Sequence, residues 1–172
     1  IVRMSKRMED RAVLTMSYMV YPDGLLKVDY DIAISENTLE PLRIGLQGQV
    51  DGDYERVTYF GRGPQENYSD RRDGVFLGTW NTSASGMMFD YVYPQENGNR
   101  TDVRWISMTD LQGRGIQFLG MEPLSVSVWN TTQEELHKAM HIGEPEMLRD
   151  AFVINVDHVQ TGVGGTNTWN QN

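Results

Sequence analysis

Leu26, Val28, Tyr30, Ile32 and Ile34 alternate with Lys27, Asp29 and Asp31, and this is the feature that most constrains the fold. Apolar side chains at every second position fit a strand with one buried and one wet face, and they fit no helix. Leu14 to Val20 carries strand-forming letters too, and Tyr21-Pro22-Asp23-Gly24 stands between the two runs. Pro presets φ and Gly accepts positive φ, so this tetrapeptide predicts a tight turn and the two runs predict a hairpin.

Similar runs recur along the chain. Arg43 to Val50, Tyr54 to Phe60, Val75 to Trp80, Met87 to Tyr93, Asp102 to Thr109, Gly115 to Leu119, Leu124 to Val128 and Ala151 to Val159 all read as strands. Turns are predicted at Asp51-Gly52-Asp53, at Pro94 to Asn99 and at Asp110 to Arg114. Gly61 to Arg72 is too polar for a strand and predicts an ordered loop anchored by Tyr68, with Glu66, Asp70, Arg71 and Arg72 satisfying one another. Only Thr131 to His141 reads as helix: Thr132 and Glu135 form a capping box, and Gly143 follows the end. The expected fold is all-β, an antiparallel β-sandwich with one short helix near 132–141, in a single domain of residues 1–172.

Ala151 to Val159 leads into Gly162-Val163-Gly164-Gly165-Thr166-Asn167-Thr168-Trp169. Trp169 has two readings. It tucks back onto the sheet, or it offers its indole to the C–H face of a sugar, with Asn167 and His158 as nearby polar contacts.

The function classes that remain are narrow. A formal charge of -9 and a pI near 4.7 repel a phosphate backbone, so nucleic acid is a poor partner. The chain has no cysteine, which excludes disulfides and thiolate metal sites. No apolar run approaches the roughly 18 residues that a membrane-spanning helix needs. The first residues lack an initiator and a secretion signal, so the chain is expected to be cut from a longer one, while its compartment stays open. Acidic pairs at Glu134/Glu135, Glu144/Glu146 and Asp51/Asp53 sit where solvated carboxylates are ordinary, at a helix start or in turns. His137 and His141 share a helix face, but Lys138 stands where the two-histidine zinc motif has glutamate. No catalytic residue is assigned.

Three blocks are more specific: Tyr59-Phe60-Gly61-Arg62-Gly63-Pro64-Gln65-Glu66-Asn67-Tyr68-Ser69-Asp70-Arg71, then Tyr91-Val92-Tyr93-Pro94-Gln95-Glu96-Asn97-Gly98, then Gly162 to Trp169. In this order the chain, from about Val13 to Trp169, closely resembles the C-terminal domain, or small chain, of the large β-galactosidases of glycoside hydrolase family 2. The resemblance implies a super-sandwich of galactose-mutarotase type. It also implies that the full-length enzyme hydrolyses terminal β-D-galactosyl residues with retention, using glutamates and magnesium and sodium ligands in a separate TIM barrel. No cofactor is then expected in this domain. Its expected partners are galactosides and that barrel, with a homo-oligomer possible in principle, and its expected contribution is a tryptophan that stacks on the sugar, here Trp169. Where the family loop usually has two acidic residues before a Ser-Trp, this chain has Thr166, Asn167 and Thr168 before Trp169. A free-standing carbohydrate-binding module, an aldose epimerase and a purely structural domain are the rival readings.

Overall fold

The computed structural model describes residues 1–9, 11–36 and 41–162. The chain divides into two compact units, Ile1–Pro41 and Leu42–Asn172. It is all-β and antiparallel among the described residues, apart from a single turn of 3-10 helix at Ser85–Met87 and one short α-helix.

The first unit is a sheet of three strands in the order β1 (Val2–Met8), β2 (Ala12–Val20), β3 (Leu26–Ile34). The predicted hairpin is present, with β2 and β3 in register from Ala12↔Ile34 to Val20↔Leu26. Its turn is closed by Gly24 N donating to Tyr21 O at 3.1 Å, with Gly24 at φ 90°. Met4, Met16 and Tyr30 line up across the three strands, and Val2, Tyr18 and Val28 share the same face. The strand β1 is an addition to the elements expected from the letters.

The second unit holds six strands in the order β4 (Arg43–Asp51), β9 (Ala151–Gln160), β8 (Gly115–Trp129), β7 (Arg100–Thr109), β5 (Arg56–Gly63), β6 (Phe76–Ser83). Alternate residues divide its two faces. Val57, Tyr59, Ile106, Met108, Val126, Val128, Phe152 and Ile154 form the main core on one face, joined by Met87. On the other face Trp129 and Val153 pack with Leu136 of the helix α1 (Gln133–Lys138). The capping box is formed: the Thr132 side chain accepts from Glu135 N at 3.2 Å.

Three expectations are corrected. The helix ends at Lys138, short of His141, because Ala139 turns to an extended conformation at φ -73°, ψ 139°. The runs 115–119 and 124–128 are one strand of 15 residues, accommodated by register shifts against β7 between Arg100 and Trp105. Met87 to Tyr93 is not a strand. There the backbone bonds to side chains instead of a ladder, Phe89 N donating to Asn97 Oδ1 at 3.1 Å.

Candidate functional site

The two loop blocks, 61–72 and 91–98, meet on the Trp129 face of the six-stranded sheet, beside the end of β9. Glu66 is the junction. Its carboxylate accepts from Arg71 Nη2 at 2.7 Å, from Gly98 N at 2.8 Å and from the Tyr91 hydroxyl. Asn67 is fully buried and braces the same corner, with Oδ1 accepting from Thr101 N at 2.9 Å and Nδ2 donating to Gln65 O at 2.9 Å. Tyr68 is the anchor its sequence position suggests: it is fully buried, with the Arg71 guanidinium 5.4 Å from its ring centroid, and burial pushes its hydroxyl up. The loop is ordered by polar side chains, but the expectation is met only in part: Glu66 and Arg71 pair with each other, whereas Arg72 Nη1 lies 3.5 Å from Asp102 Oδ1, and Gly61 to Gly63 belong to β5 rather than to the loop.

Gly98 closes this corner at φ 74°, and a Cβ there would lie 2.5 Å from Met87 O. Gly98→Ala is expected to lower the unfolding free energy by about 2 kcal/mol, read from the denaturant midpoint at unchanged slope.

Arg43 ties β9 to the second loop block. Its Nε donates to Asp157 Oδ2 at 2.9 Å, and its two terminal nitrogens donate to the two oxygens of Glu96 at 3.3 Å each. The guanidinium lies 5.6 Å from the ring centroid of Trp129, whose Nε1 donates to Asn97 O at 2.9 Å. Burial raises the Glu96 carboxyl to about 7; Arg43 opposes this and the negative charges of Asp157 and Glu66 add to it. Burial likewise raises Asp157 to about 6 against the pull of Arg43. Both carboxylates are thus tied to a cation inside the fold, an arrangement suited to holding segments together.

The predicted binding residues fall in different places. His158 is exposed on β9, next to buried Asp157, where the register against β4 slips and His158 is the unpaired extra residue. Trp169 and Asn167 lie outside the described residues. The segment that carries them starts inside the cluster, however. Gly162 sits directly on Asp70, whose carboxylate fills the space a Cβ would need. Thr161 is pinned just before it, with N and Oγ1 donating to Leu42 O at 3.0 and 3.1 Å.

The other candidate acids have ordinary partners. Glu134 pairs with Lys138 at 2.7 Å, Glu144 accepts from Met140 N and His141 N at 2.7 and 3.1 Å, and Asp51 accepts from Asp53 N at 2.9 Å. Among the described residues no three His, Asp or Glu side chains gather as a metal ion would require, and no helix is long and apolar enough to cross a membrane. Sequence reasoning missed Arg43 and its two carboxylates. The one available signal was that Glu96 lies within a motif block.

A family model described as the β-galactosidase small chain matches residues 1–172. The chain belongs to the β-galactosidase small-chain family. The chain is 36% identical over 164 residues to a β-galactosidase of Halalkalibacterium halodurans, an alignment covering 93% of this chain and 16% of that protein. It is 34% identical over 154 residues to a β-galactosidase of Priestia megaterium, covering 90% of this chain and 15% of that protein. A β-galactosidase of Bifidobacterium adolescentis is 32% identical over 164 residues, with 92% and 15% covered. The chain thus spans about 15% of the length of the curated relatives it matches.

Proposed function

We propose that this chain is the accessory carbohydrate-contacting domain of a retaining β-galactosidase, in which the whole protein hydrolyses terminal β-D-galactosyl residues. The observation that carries the reading is the match of residues 1–172 to the small-chain family, alongside relatives of which the chain covers only 15 to 16%. The catalytic carboxylates and their metal ions belong, on this reading, to a barrel outside the chain. Residues 1–172 act as one super-sandwich domain of galactose-mutarotase type, and its partners are galactosides and that barrel.

Trp169 is the sugar platform, with Asn167 beside it and His158 as a further polar contact. An indole offers a pyranose its apolar face, while the hydroxyls need polar partners. The root of the segment supports this role: Thr161 bonds to the Leu42 carbonyl, and Gly162 lies against Asp70 of the ordered 61–72 loop. A site placed by such a framework needs less ordering when the sugar arrives.

A lone stacking residue sustains only weak affinity, in the millimolar range or about -4 kcal/mol. Saturation-transfer NMR with lactose and galactose is expected to show contact with the wild-type chain and none with Trp169→Ala. A chromogenic galactoside in the same samples should stay intact. Turnover by the purified chain, or sugar contact that survives Trp169→Ala, would overturn the reading.

A further inference from the structure

The segments 88–94 and 140–147 enclose an open pocket with an empty volume of about 330 Å³. Its lining includes buried Leu136 of α1, the aromatic pair Phe89 and Tyr91 with ring centroids 4.8 Å apart, and Ile142, Pro145 and Met147 from the second segment. The walls are fastened to each other and to the loops behind them. Ile142 N donates to Val92 O at 3.1 Å, Thr131 Oγ1 to Glu146 O at 2.7 Å, and Phe89 N to Asn97 Oδ1 at 3.1 Å. The Glu144 carboxylate closes the turn within the second segment by accepting from Met140 N and His141 N. The pocket is thus preformed, which lowers the ordering cost of filling it.

These two short segments also leave large apolar side chains in solvent. Phe89, Val92, Tyr93, Met140, Ile142 and Met147 are between 46% and 78% exposed. Single exposed hydrophobes need no explanation, but a group of them around a concavity marks an interaction surface. The chemistry of the lining narrows the occupant. A sugar or other polar ligand needs free donors and acceptors, whereas the Thr131 hydroxyl is committed to Glu146 O and the Tyr91 hydroxyl to Glu66. Among the described residues Asp90 is the only charged side chain in the lining, and it is exposed. A second copy fits poorly: a twofold contact would bring Asp90 and Glu144 towards their own images on a chain of net charge -9. An apolar side chain with a cation beside it, carried by a different stretch of polypeptide, suits both the apolar lining and Asp90. The chain covers only 15 to 16% of its β-galactosidase relatives, so most of each relative lies outside the match and is available to supply that stretch.

We propose that this pocket is the docking site for the rest of the β-galactosidase polypeptide, taking one large apolar side chain into its lining and a neighbouring Lys or Arg against Asp90. The proposal rests on the reading of the chain as an accessory domain of such an enzyme, and it uses none of the residues assigned to galactoside contact.

Photocrosslinking in a whole enzyme tests it. The 164 aligned residues of the Halalkalibacterium halodurans β-galactosidase are replaced by those of this chain, with p-benzoylphenylalanine in place of Phe89. Crosslinks are expected to peptides outside the replaced region that carry a large apolar residue beside Lys or Arg. Their yield should fall at least about tenfold in Ile142→Asp, which puts a charge into the lining, and about threefold in Asp90→Lys, while Asp90→Glu keeps it. Should the chimera not fold, the labelled 172-residue chain mixed with the same enzyme lacking its aligned residues decides by the same crosslinks. Crosslinks confined to this chain's own residues, or joining two copies of it, overturn the proposal. So does a yield indifferent to Ile142→Asp. Either outcome in a chimera that hydrolyses a chromogenic galactoside leaves the accessory-domain reading standing. A folded chimera without hydrolysis overturns that reading, wherever the crosslinks fall.

Discussion

Trp129→Ala is expected to cost about 4 to 5 kcal/mol of unfolding free energy, the upper range for truncating a buried aromatic. The side chain is fully buried at the last position of β8 and joins three parts of the second unit. Its ring packs with Leu136 of the helix and Val153 of β9, with Met88 and Leu148 against them. Its Nε1 satisfies the Asn97 carbonyl, and Arg43 lies over its face. Removal leaves a cavity, an orphaned carbonyl and a guanidinium without its aromatic neighbour, so the costs add. The helix has only six residues and cannot persist without packing, so it should fray first. Trp129→Phe keeps most of the volume but not the donor and should cost about 1 to 3 kcal/mol, chiefly the unsatisfied carbonyl. Chemical denaturation of the three chains checks the series. A loss below about 2 kcal/mol for the alanine variant would mean that this face of the sheet contributes little.

How much of this was legible depends on how far apart the cooperating residues lie. The β2–β3 hairpin could be read because Leu26 to Ile34 alternates cleanly and Tyr21 to Gly24 supplies the turn, both local properties. The β1 strand escaped because Lys6 interrupts the alternation of Val2, Met4 and Met8, and its pairing with β2 is what makes it a strand. Met87 to Tyr93 has strand-like letters, yet Asn97 and Glu66 bind the backbone of this region and the following turn in place of a ladder. Within the site, the Glu66–Arg71 pair was legible at a separation of 5 residues. The bonds of Arg43 to Glu96 and Asp157 cross 53 and 114 residues, and no local pattern encodes them. Nor do the letters of Asp157 and His158 say which is buried. The register of β9 against β4 and β8 decides it, with Asp157 buried and His158 exposed.

Glu96→Gln is expected to stabilise the chain by about 3 kcal/mol at pH 8 and by less than about 1 kcal/mol at pH 5. Burial is the origin of the effect. Folding raises the Glu96 carboxyl from 4.5 to about 7, so between these values the folded chain binds more protons than the unfolded one. Stability then falls as pH rises through this window and levels off above it, since an acid with a raised folded value contributes most when protonated. Asp157, raised from 3.8 to about 6, slopes the same way over a slightly lower range and stays in the variant. The glutamine amide has nearly the shape of the protonated acid and cannot ionise, so the substitution removes the Glu96 part of the slope alone. Arg43 sharpens the contrast: Arg43→Gln leaves both buried carboxylates without their cation, and its cost should be far greater at pH 8 than at pH 5. Thermal melts of the wild type and both variants across pH 5 to 8 measure the three slopes. Parallel curves for the wild type and Glu96→Gln would mean that Arg43 fully offsets the burial of Glu96, and that the cluster carries no pH response through that residue.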